Sequence, residues 1–169
     1  MAQPDLLRRI RLWLAVFMAG LVLSGVTAFP LRGELRGLVC LLKLGWLRPA
    51  ALSTGLLPWI ERVRTGVDAS YGAYPFLAYA TDWLAFAHLA IAVAFLGPWI
   101  DPVRNRWVIT FGLIACAGVV PLALVAGEIR GIPILWRLID CGFGIFGSIP
   151  LLLCRHYVSF LENATQPRG

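Results

Sequence analysis

Residues 75–99 read PFLAYATDWLAFAHLAIAVAFLGPW, an almost entirely apolar run that contains one carboxylate, Asp82, and one histidine, His88. A helix that crosses a bilayer needs roughly 20 mostly apolar residues, because each residue rises about 1.5 Å across a hydrocarbon core about 30 Å thick. The run is long enough, and it predicts a membrane-spanning helix. Asp82 and His88 then need a place where they do not face lipid.

Three further stretches have the same character, and the composition of the whole chain agrees with them. Of the 169 residues, 59% are hydrophobic and 14% are charged, against about 45–50% and about 25% in soluble domains. The predicted spans cover residues 12–29, 76–96, 107–127 and 133–154, with a long loop over 30–75. We therefore expect one integral membrane domain over 1–169, an all-α polytopic protein built as a four-helix bundle.

The long loop contains a helical pattern of its own. The stretch LRGELRGLVCLLKLGW, residues 31–46, places basic residues on one helical face and leucines away from it: Arg32, Arg36 and Lys43 against Leu31, Leu38 and Leu42. This pattern predicts an amphipathic helix in the membrane interface. A second helix, capped by Ser53 or Thr54, is expected through LLPWIERVR. The segment is either a lid packed on the bundle or a basic cap that recognises an anionic lipid or partner.

The basic residues predict the orientation of the chain. Seven would lie on the side of the termini, in short segments close to span ends: Arg8, Arg9, Arg11, Arg104, Arg106, Arg155 and Arg168. The eight on the other side are mostly spread through the long loop, and short segments count most in the positive-inside rule. We therefore expect a multi-pass protein of the cell membrane, a bacterial inner membrane, with both termini in the cytoplasm.

The N-terminal segment allows a second interpretation. Its arginines and apolar stretch also resemble a secretory signal, with a small-residue cleavage site over 26–28. We interpret the segment as the first span.

Charge and cysteine pattern argue against two other classes of protein. The net charge is +6, but the basic residues are scattered over every loop and form no stripe of the kind that nucleic acid requires. We expect no nucleic-acid partner. The four cysteines show no C-x-x-C motif and no metal-ligand spacing, so we interpret them as packing residues and expect no metal.

Acidic residues on three predicted spans form the most informative pattern. If the second span enters from the outer side, Asp82 lies about 9 Å deep, and Asp140 lies about as deep on the fourth span. Glu128 stands at the outer end of the third span, and Arg137 lies just above these acids. Ionisable residues in a membrane usually face the bundle interior and have partners. The pattern therefore predicts a polar site in the outer half of the bundle.

This site has two interpretations. In the structural one, charges pair to fix the helix register, Arg137 with Asp140 along one helix and Glu128 with Arg130 at a helix end. In the functional one, the carboxyls of Asp82 and Asp140 share a cavity and form a catalytic acid–base pair. The expected ligand-binding residues are then Asp82, His88, Glu128, Arg137 and Asp140.

His88 is not the same-helix partner of Asp82, because the two are about 240° apart around a helix. The other histidine, His156, follows the inner end of the fourth span, so the two would not lie at one height, as axial haem ligands must. No spacing brings Ser148 to His88 as a nucleophile to its base. We expect no cofactor, and a lone His88 bonded to a carbonyl or a hydroxyl.

Small residues recur every four positions on three predicted spans. They are Gly20, Ser24 and Ala28, then Gly112 and Cys116, then Gly144 and Ser148. Because lipid gives helices no hydrophobic reason to associate, close approach through small residues supplies much of the attraction. We expect helix contacts at these positions, and bends at Pro121 and Pro150.

In organisation the chain resembles the small four-helix membrane proteins of the emopamil-binding and sigma-2 type, in which acidic residues in a bundle pocket meet a sterol or an amine. The likeness is one of span count, chain length and acidic residues on separate spans. It implies a pocket for a lipophilic ligand, and it assigns no residue to that pocket.

The sequence therefore favours binding of a lipidic or amphipathic small molecule in a bundle pocket near the outer face. The catalytic form of this hypothesis is an acid–base isomerase or cyclase. The alternative class is a non-catalytic assembly or accessory subunit of a larger membrane complex, either as a homo-oligomer or with other chains. Membrane lipids are expected partners in both cases.

Overall fold

The computed structural model describes residues 3–165, and Arg168 of the basic count lies outside them. Its helices are α1 (Gln3–Ala28), α2 (Leu31–Leu42), α3 (Arg48–Ser53), α4 (Leu56–Ala73), α5 (Ala78–Ala94), α6 (Leu96–Ile100), α7 (Arg106–Pro121), α8 (Gly127–Ile129) and α9 (Ile134–Thr165). A 3-10 turn, Pro75–Leu77, precedes α5, and a π-helical turn, Leu122–Ala126, joins α7 to α8.

Four helical segments are long and apolar enough to cross a membrane, which confirms the all-α fold with four spans. They are Gln3–Ala28, Pro75–Ile100, Arg106–Ile129 and Ile134–Asn163. By length and composition, this is the organisation of a multi-pass membrane protein.

The first and last segments extend beyond their predicted boundaries, at the end of the bundle that carries the termini. α1 begins well before residue 12, and α9 continues well past residue 154. The reason is packing beyond the apolar runs, since Leu6 and Ile10 of α1 lie in the same core cluster as Val158 and Leu161 of α9.

α1 packs between α5 and α9, and α9 packs between α1 and α7. Among the described residues, α5 makes no comparable contact with α7 or α9. The helix that carries Asp82 and His88 is therefore joined to the bundle mainly through α1.

Small residues form the contact between α7 and α9, as predicted. Gly144 lies directly against the carbonyl of Cys116, and a Cβ added to Gly112 would lie 2.7 Å from the side chains of Leu151 and Phe95. No larger residue fits at either glycine without a shift of its neighbours.

The contact predicted along Gly20 and Ser24 of α1 is wrong. Both residues are exposed, and no atom lies within 4 Å of a Cβ built on Gly20. Gly25 makes the contact instead, because a Cβ there would lie 2.9 Å from the carbonyl oxygen of Ala85 on α5. α5 therefore packs on a face of α1 that lies next to the face with Gly20 and Ser24.

The two prolines inside the spans have different effects. α7 ends at Pro121, and the chain continues as the π-helical turn Leu122–Ala126. Proline has no N–H to donate within a helix, and widened turns occur where the regular hydrogen-bond pattern is interrupted. α9 contains Pro150 and continues as one helix from Ile134 to Thr165.

The long loop folds into α2, α3 and α4, which we call the cap (residues 31–73). This confirms the helices predicted within 31–46 and after residue 53, whereas the sequence pattern did not indicate α3. The cap has a hydrophobic core of its own, formed by Leu35, Val39, Leu42, Ala51, Leu57 and Ile60.

Two details of the cap differ from the prediction. Leu42 lies in the cap core and Leu38 packs against it, so both leucines face α4. Ser53 and Thr54 do not cap α4, since both hydroxyls donate to a carbonyl of α3. Gly55 precedes α4 at φ 74°, a conformation that glycine adopts readily.

The cap lies across the end of the bundle opposite the termini. At one end of α4, the Tyr71 hydroxyl is 2.9 Å from the Thr81 hydroxyl on α5. Towards the other end, Trp136 of α9 packs against the cap core beside Trp59. Tyr71 and Trp59 are separated by about 18 Å along α4. The cap therefore bridges α5 and α9, as a lid packed on the bundle does.

Neutralising Lys43 is expected to reduce the stability of the cap at neutral pH and not in acid. Lys43 Nζ lies 2.7 Å from Glu61 Oε1, and this hydrogen bond is the main reason why the pKa of the Glu61 carboxyl is below its usual value. Because the folded state has the lower pKa, the contribution is present above the unfolded pKa and is lost as pH falls through the folded pKa. The pair is exposed, so the effect is small.

Unfolding curves of the wild type and Lys43→Met are therefore expected to differ at neutral pH and to converge once the pH falls below the lowered pKa of Glu61. Arg62→Met is the matched control, because Arg62 is exposed and has no acidic partner among the described residues. Its offset from the wild type should not depend on pH. A Lys43→Met offset that persists in acid would contradict the role of Glu61.

Candidate ligand site under the cap

A cleft of about 300 Å³ opens where α1 ends and α5 begins, beneath one end of α4. Its lining residues are Phe29, Pro30, Leu31, Arg32, Tyr71, Pro75 and Ala78. The helices end here because Pro30 follows α1 and Pro75 follows α4, and the residue before a proline is disfavoured in a helix. The lining residues are mostly apolar, and Arg32 and Tyr71 supply the polar groups.

Arg32 carries the positive charge of the cleft. Its guanidinium lies 5.4 Å from the centre of the Tyr71 ring, and its Nη2 donates to the backbone carbonyl of Asp68 at 3.1 Å. Its Nε lies 3.5 Å from Asp68 Oδ1 and has no hydrogen-bond partner. Arg36 Nη2 lies 3.7 Å from the same carboxylate oxygen. Two arginines thus share one carboxylate, which leaves excess positive charge beside the cleft.

Tyr71 fixes the cap to α5 through a short chain of hydrogen bonds. The Thr81 hydroxyl lies 2.7 Å from the carbonyl oxygen of Ala78, which can only accept a hydrogen bond. Thr81 therefore donates to Ala78, and the Tyr71 hydroxyl donates to Thr81. The Tyr71 oxygen keeps a lone pair that can accept a hydrogen bond from a ligand.

Asp82 lies one helical turn below the cleft. It follows the cleft residue Ala78 by four positions and precedes Ala85, which contacts Gly25 of α1, by three. Because residues three and four apart share a helix face, Asp82 lies on the side of α5 that faces α1. It is half-buried and forms no hydrogen bond or ion pair with any described residue. Its carboxylate is therefore available to a ligand.

His88 is bonded to its own helix. Its Nδ1 lies 2.8 Å from the carbonyl oxygen of Leu84, and because a carbonyl oxygen only accepts, Nδ1 donates this hydrogen bond. This confirms the expectation of a lone histidine bonded to a carbonyl. His88 also belongs to the contact between α1 and α5, since its Cβ lies 3.2 Å from a Cβ added to Gly25. Its role in ligand binding stays a prediction.

Asp140 is half-buried on α9, one turn before Gly144, and so lies on the side of α9 that faces α7. It forms no hydrogen bond or ion pair with any described residue, so the predicted pairing with Arg137 is wrong. Asp82 and Asp140 stand on helices that α1 separates, and no hydrogen bond joins them. The acid–base pair stays a prediction.

Glu128 and Arg137 form an ion pair between α8 and α9, so Glu128 does not pair with Arg130 as predicted. The Arg137 side chain is 14% exposed and that of Glu128 is 72% exposed. Arg137 Nη1 also lies 3.3 Å from the carbonyl of Leu124 in the π-helical turn, to which it donates. A Cβ added to Gly127 would lie 2.5 Å from Arg137 Cδ. Arg137 thus holds the widened turn against α9.

Sequence reasoning missed the polar groups of the cleft. The signal was present, since α2 has arginines at positions 32 and 36 and α4 has Asp68 and Tyr71 three residues apart. These spacings put each pair on one helix face. That the two faces meet follows only from the packing of α2 on α4.

No family model, no curated protein and no solved structure matches the chain. Fold and site define a class, that of a small multi-pass membrane protein whose long first loop forms a helical cap beside an apolar cleft.

Proposed function

We propose that the protein binds an amphipathic, lipid-like molecule whose polar head enters the cleft and whose apolar part lies along α1 and α5. The observation that carries this proposal is an apolar wall next to Arg32, which shares the single carboxylate of Asp68 with Arg36. A cleft of about 300 Å³ is at the lower limit of ligand pockets. It therefore suits a head group better than a whole lipid.

The head group is expected to carry an anionic group at Arg32. A guanidinium binds phosphate and carboxylate strongly because its N–H groups match their geometry. Arg32 and Arg36 share the single carboxylate of Asp68, so the cap does not fully neutralise the charge. A phosphate at the cleft would complete this cluster.

The head group is also expected to carry an amine. Asp82 lies one turn below the cleft and has no partner among the described residues. A free carboxylate near the membrane interior needs a hydrogen-bond donor, which an ammonium group provides. A zwitterionic head, with its phosphate at Arg32 and its amine towards Asp82, satisfies both residues.

Binding is the function favoured over catalysis. An isomerase or cyclase that uses Asp82 and Asp140 would need both carboxyls within reach of one substrate. The separation of their helices by α1 argues against that arrangement. Asp140, His88, Glu128 and Arg137 lie outside the lining of the cleft, and their part in ligand binding stays a prediction.

Lipid binding by native mass spectrometry tests the proposal. Purified protein is titrated with phosphatidylethanolamine, which carries phosphate and amine, and with phosphatidylglycerol, which carries phosphate alone. Arg32→Gln is expected to weaken binding of both lipids by about tenfold, which corresponds to one charge-assisted hydrogen bond of about 1.4 kcal/mol. Asp82→Asn is expected to weaken only the binding of phosphatidylethanolamine.

Arg36→Gln is the matched control for Arg32→Gln. Arg36 meets the same carboxylate of Asp68 but does not line the cleft, so its loss should weaken binding much less than the loss of Arg32. Asp82→Asn should unfold at the wild-type temperature, because Asp82 has no partner to lose. Equal effects of the two arginine variants, or unchanged binding in both, would contradict the proposal.

Assembly with another membrane chain is the second candidate function. It is favoured by the exposed position of Gly20 and Ser24, because small residues that make no contact within a chain permit close approach of another helix. The same mass spectra report the number of subunits. A stable oligomer that Gly20→Leu dissociates, with no bound lipid, would favour assembly over ligand binding.

The proposed location is a bacterial inner membrane, with both termini in the cytoplasm and the cleft towards the outer leaflet. Its support is the distribution of basic residues between short segments and the long loop. A reporter fused to the C-terminus should report the cytoplasm, and a reporter within the cap should report the other side of the membrane. The reverse assignment would place the cleft at the cytoplasmic leaflet.

A further inference from the structure

The cap has a second apolar surface, at the corner between α2 and α3. We call it the corner surface, and it consists of Leu41, Leu44, Trp46 and Leu52. Trp46 is 79% exposed and the three leucines are about half exposed. None of the four lines the cleft or belongs to the core of the cap or the bundle.

The corner surface is distinct from the apolar face that joins α2 to α4. Leu42 is buried in the cap core, whereas its neighbour Leu41 is exposed. α2 therefore packs its inner face on α4, and its C-terminal end still exposes an apolar side chain on the other face. Exposed apolar side chains that follow one another along a short segment indicate a surface that lipid or another molecule covers.

The position of the cap in the chain limits what can cover this surface. Only residues 29 and 30 separate the end of α1 from the start of α2. The other end of the cap is joined to the span that begins at Pro75. α2 is about 18 Å long, so its far end lies within about that distance of the end of α2 that is joined to α1.

The charges around the corner surface favour an anionic lipid surface. No acidic residue occurs between Glu34 and Glu61, whereas Arg36, Lys43 and Arg48 lie in that stretch. Arg48 is exposed and has no acidic partner among the described residues. A second copy of the same corner would bring like charges together. Tryptophan with flanking basic residues is typical of a segment that lies in the head-group region.

We propose that the corner surface inserts into the head-group region of the membrane that the spans cross. Trp46 and the leucines at 41, 44 and 52 then lie at the level of the upper acyl chains, with Arg48 among the lipid phosphates. The membrane contact of the cap is thus made by the corner surface and not by the leucine face that the sequence pattern indicated. This inference does not depend on the ligand of the cleft.

Fluorescence quenching in nanodiscs tests the inference. The environment-sensitive fluorophore NBD is attached to a cysteine at Trp46→Cys in a Cys40→Ser background, because Cys40 is exposed and the other three cysteines are buried. The nanodiscs contain phosphatidylcholine and phosphatidylglycerol in a three-to-one ratio, with a nitroxide on the upper acyl chain. The matched control is the same label at Arg62→Cys, on an exposed position of α4 outside the corner surface.

The label at position 46 is expected to emit at shorter wavelength and to be quenched about threefold or more strongly than the label at position 62. Replacing phosphatidylglycerol by phosphatidylcholine should reduce the difference, because Arg48 then loses its anionic partners. An unquenched label at position 46 would overturn the inference. Equal quenching at both positions would also overturn it, since the corner surface would then not be the part that inserts. Because the cleft lipids are measured by mass spectrometry with Arg32 and Asp82 variants, either proposal can fail without the other.

Discussion

Gly144→Ala is expected to destabilise the purified protein by about 1 to 3 kcal/mol, the usual cost of overpacking a well-packed contact. The added methyl group would meet the carbonyl oxygen of Cys116 and would lie 3.1 Å from Val119 Cβ. A backbone carbonyl cannot move aside as the end of a long side chain can. α7 and α9 would therefore have to separate along their contact, and thermal unfolding in detergent measures the loss.

Gly118→Ala is the matched control. This glycine lies on α7, the partner helix in the same contact, but on an exposed face. No atom lies within 4 Å of a Cβ built there. The same chemical change in an open position of a helix is expected to be neutral or to stabilise by up to about 1 kcal/mol. Equal unfolding temperatures of the two variants would show that the small-residue contact does not determine how closely α7 and α9 pack.

Arg137→Met is expected to destabilise the protein by about 0.5 to 1.5 kcal/mol, the usual net contribution of one hydrogen bond, because the Leu124 carbonyl then keeps only the backbone N–H of Gly127 as a donor. Methionine retains most of the aliphatic stem that packs on Gly127, so the change tests mainly the guanidinium. Arg137 Nη1 contacts both the Glu128 carboxylate and the Leu124 carbonyl in the π-helical turn. Loosening of that turn should appear as faster hydrogen exchange over 122–129 as well as a lower unfolding temperature.

Glu128→Gln separates the ion pair from the rest of the contact. Glu128 is 72% exposed, and exposed ion pairs contribute about 0 to 1 kcal/mol. The variant is therefore expected to unfold close to the wild-type temperature, with unchanged exchange in the π-helical turn. A loss as large as that of Arg137→Met would mean that the ion pair, and not the bond to Leu124, holds the turn.

The fold was largely predictable because the bilayer sets the length of each span. Four apolar stretches of the required length were expected, and four such helices are present. The boundaries of a span were predictable only where its helix stops at the same residue as its apolar run. α1 and α9 continue as helices beyond their apolar runs because Leu6 and Val158 share a core that the hydropathy of neither segment indicates.

The candidate site was predictable only in part. Asp82 was singled out because a carboxylate in an apolar run needs an explanation, and it lies one turn below the cleft. Arg32 was assigned to the membrane interface. Its spacing from Arg36 and Lys43 shows that the three share a helix face, but it does not show which part of the molecule that face contacts. The expected grouping of Asp82 with Asp140 depended on depth alone. Depth along a helix does not specify which helices are neighbours.

The sequence by itself determined the class of protein, the number of spans and the presence of helices in the long loop, because hydrophobic run length and periodicity are properties of single segments. The tertiary structure decided the rest. It placed α1 between α5 and α9, gave Arg137 to Glu128 and Leu124, and turned the leucines of α2 towards α4. These outcomes depend on close contact between segments distant in the chain, and such contact is set by side-chain shape at the meeting surfaces, which a single segment does not contain.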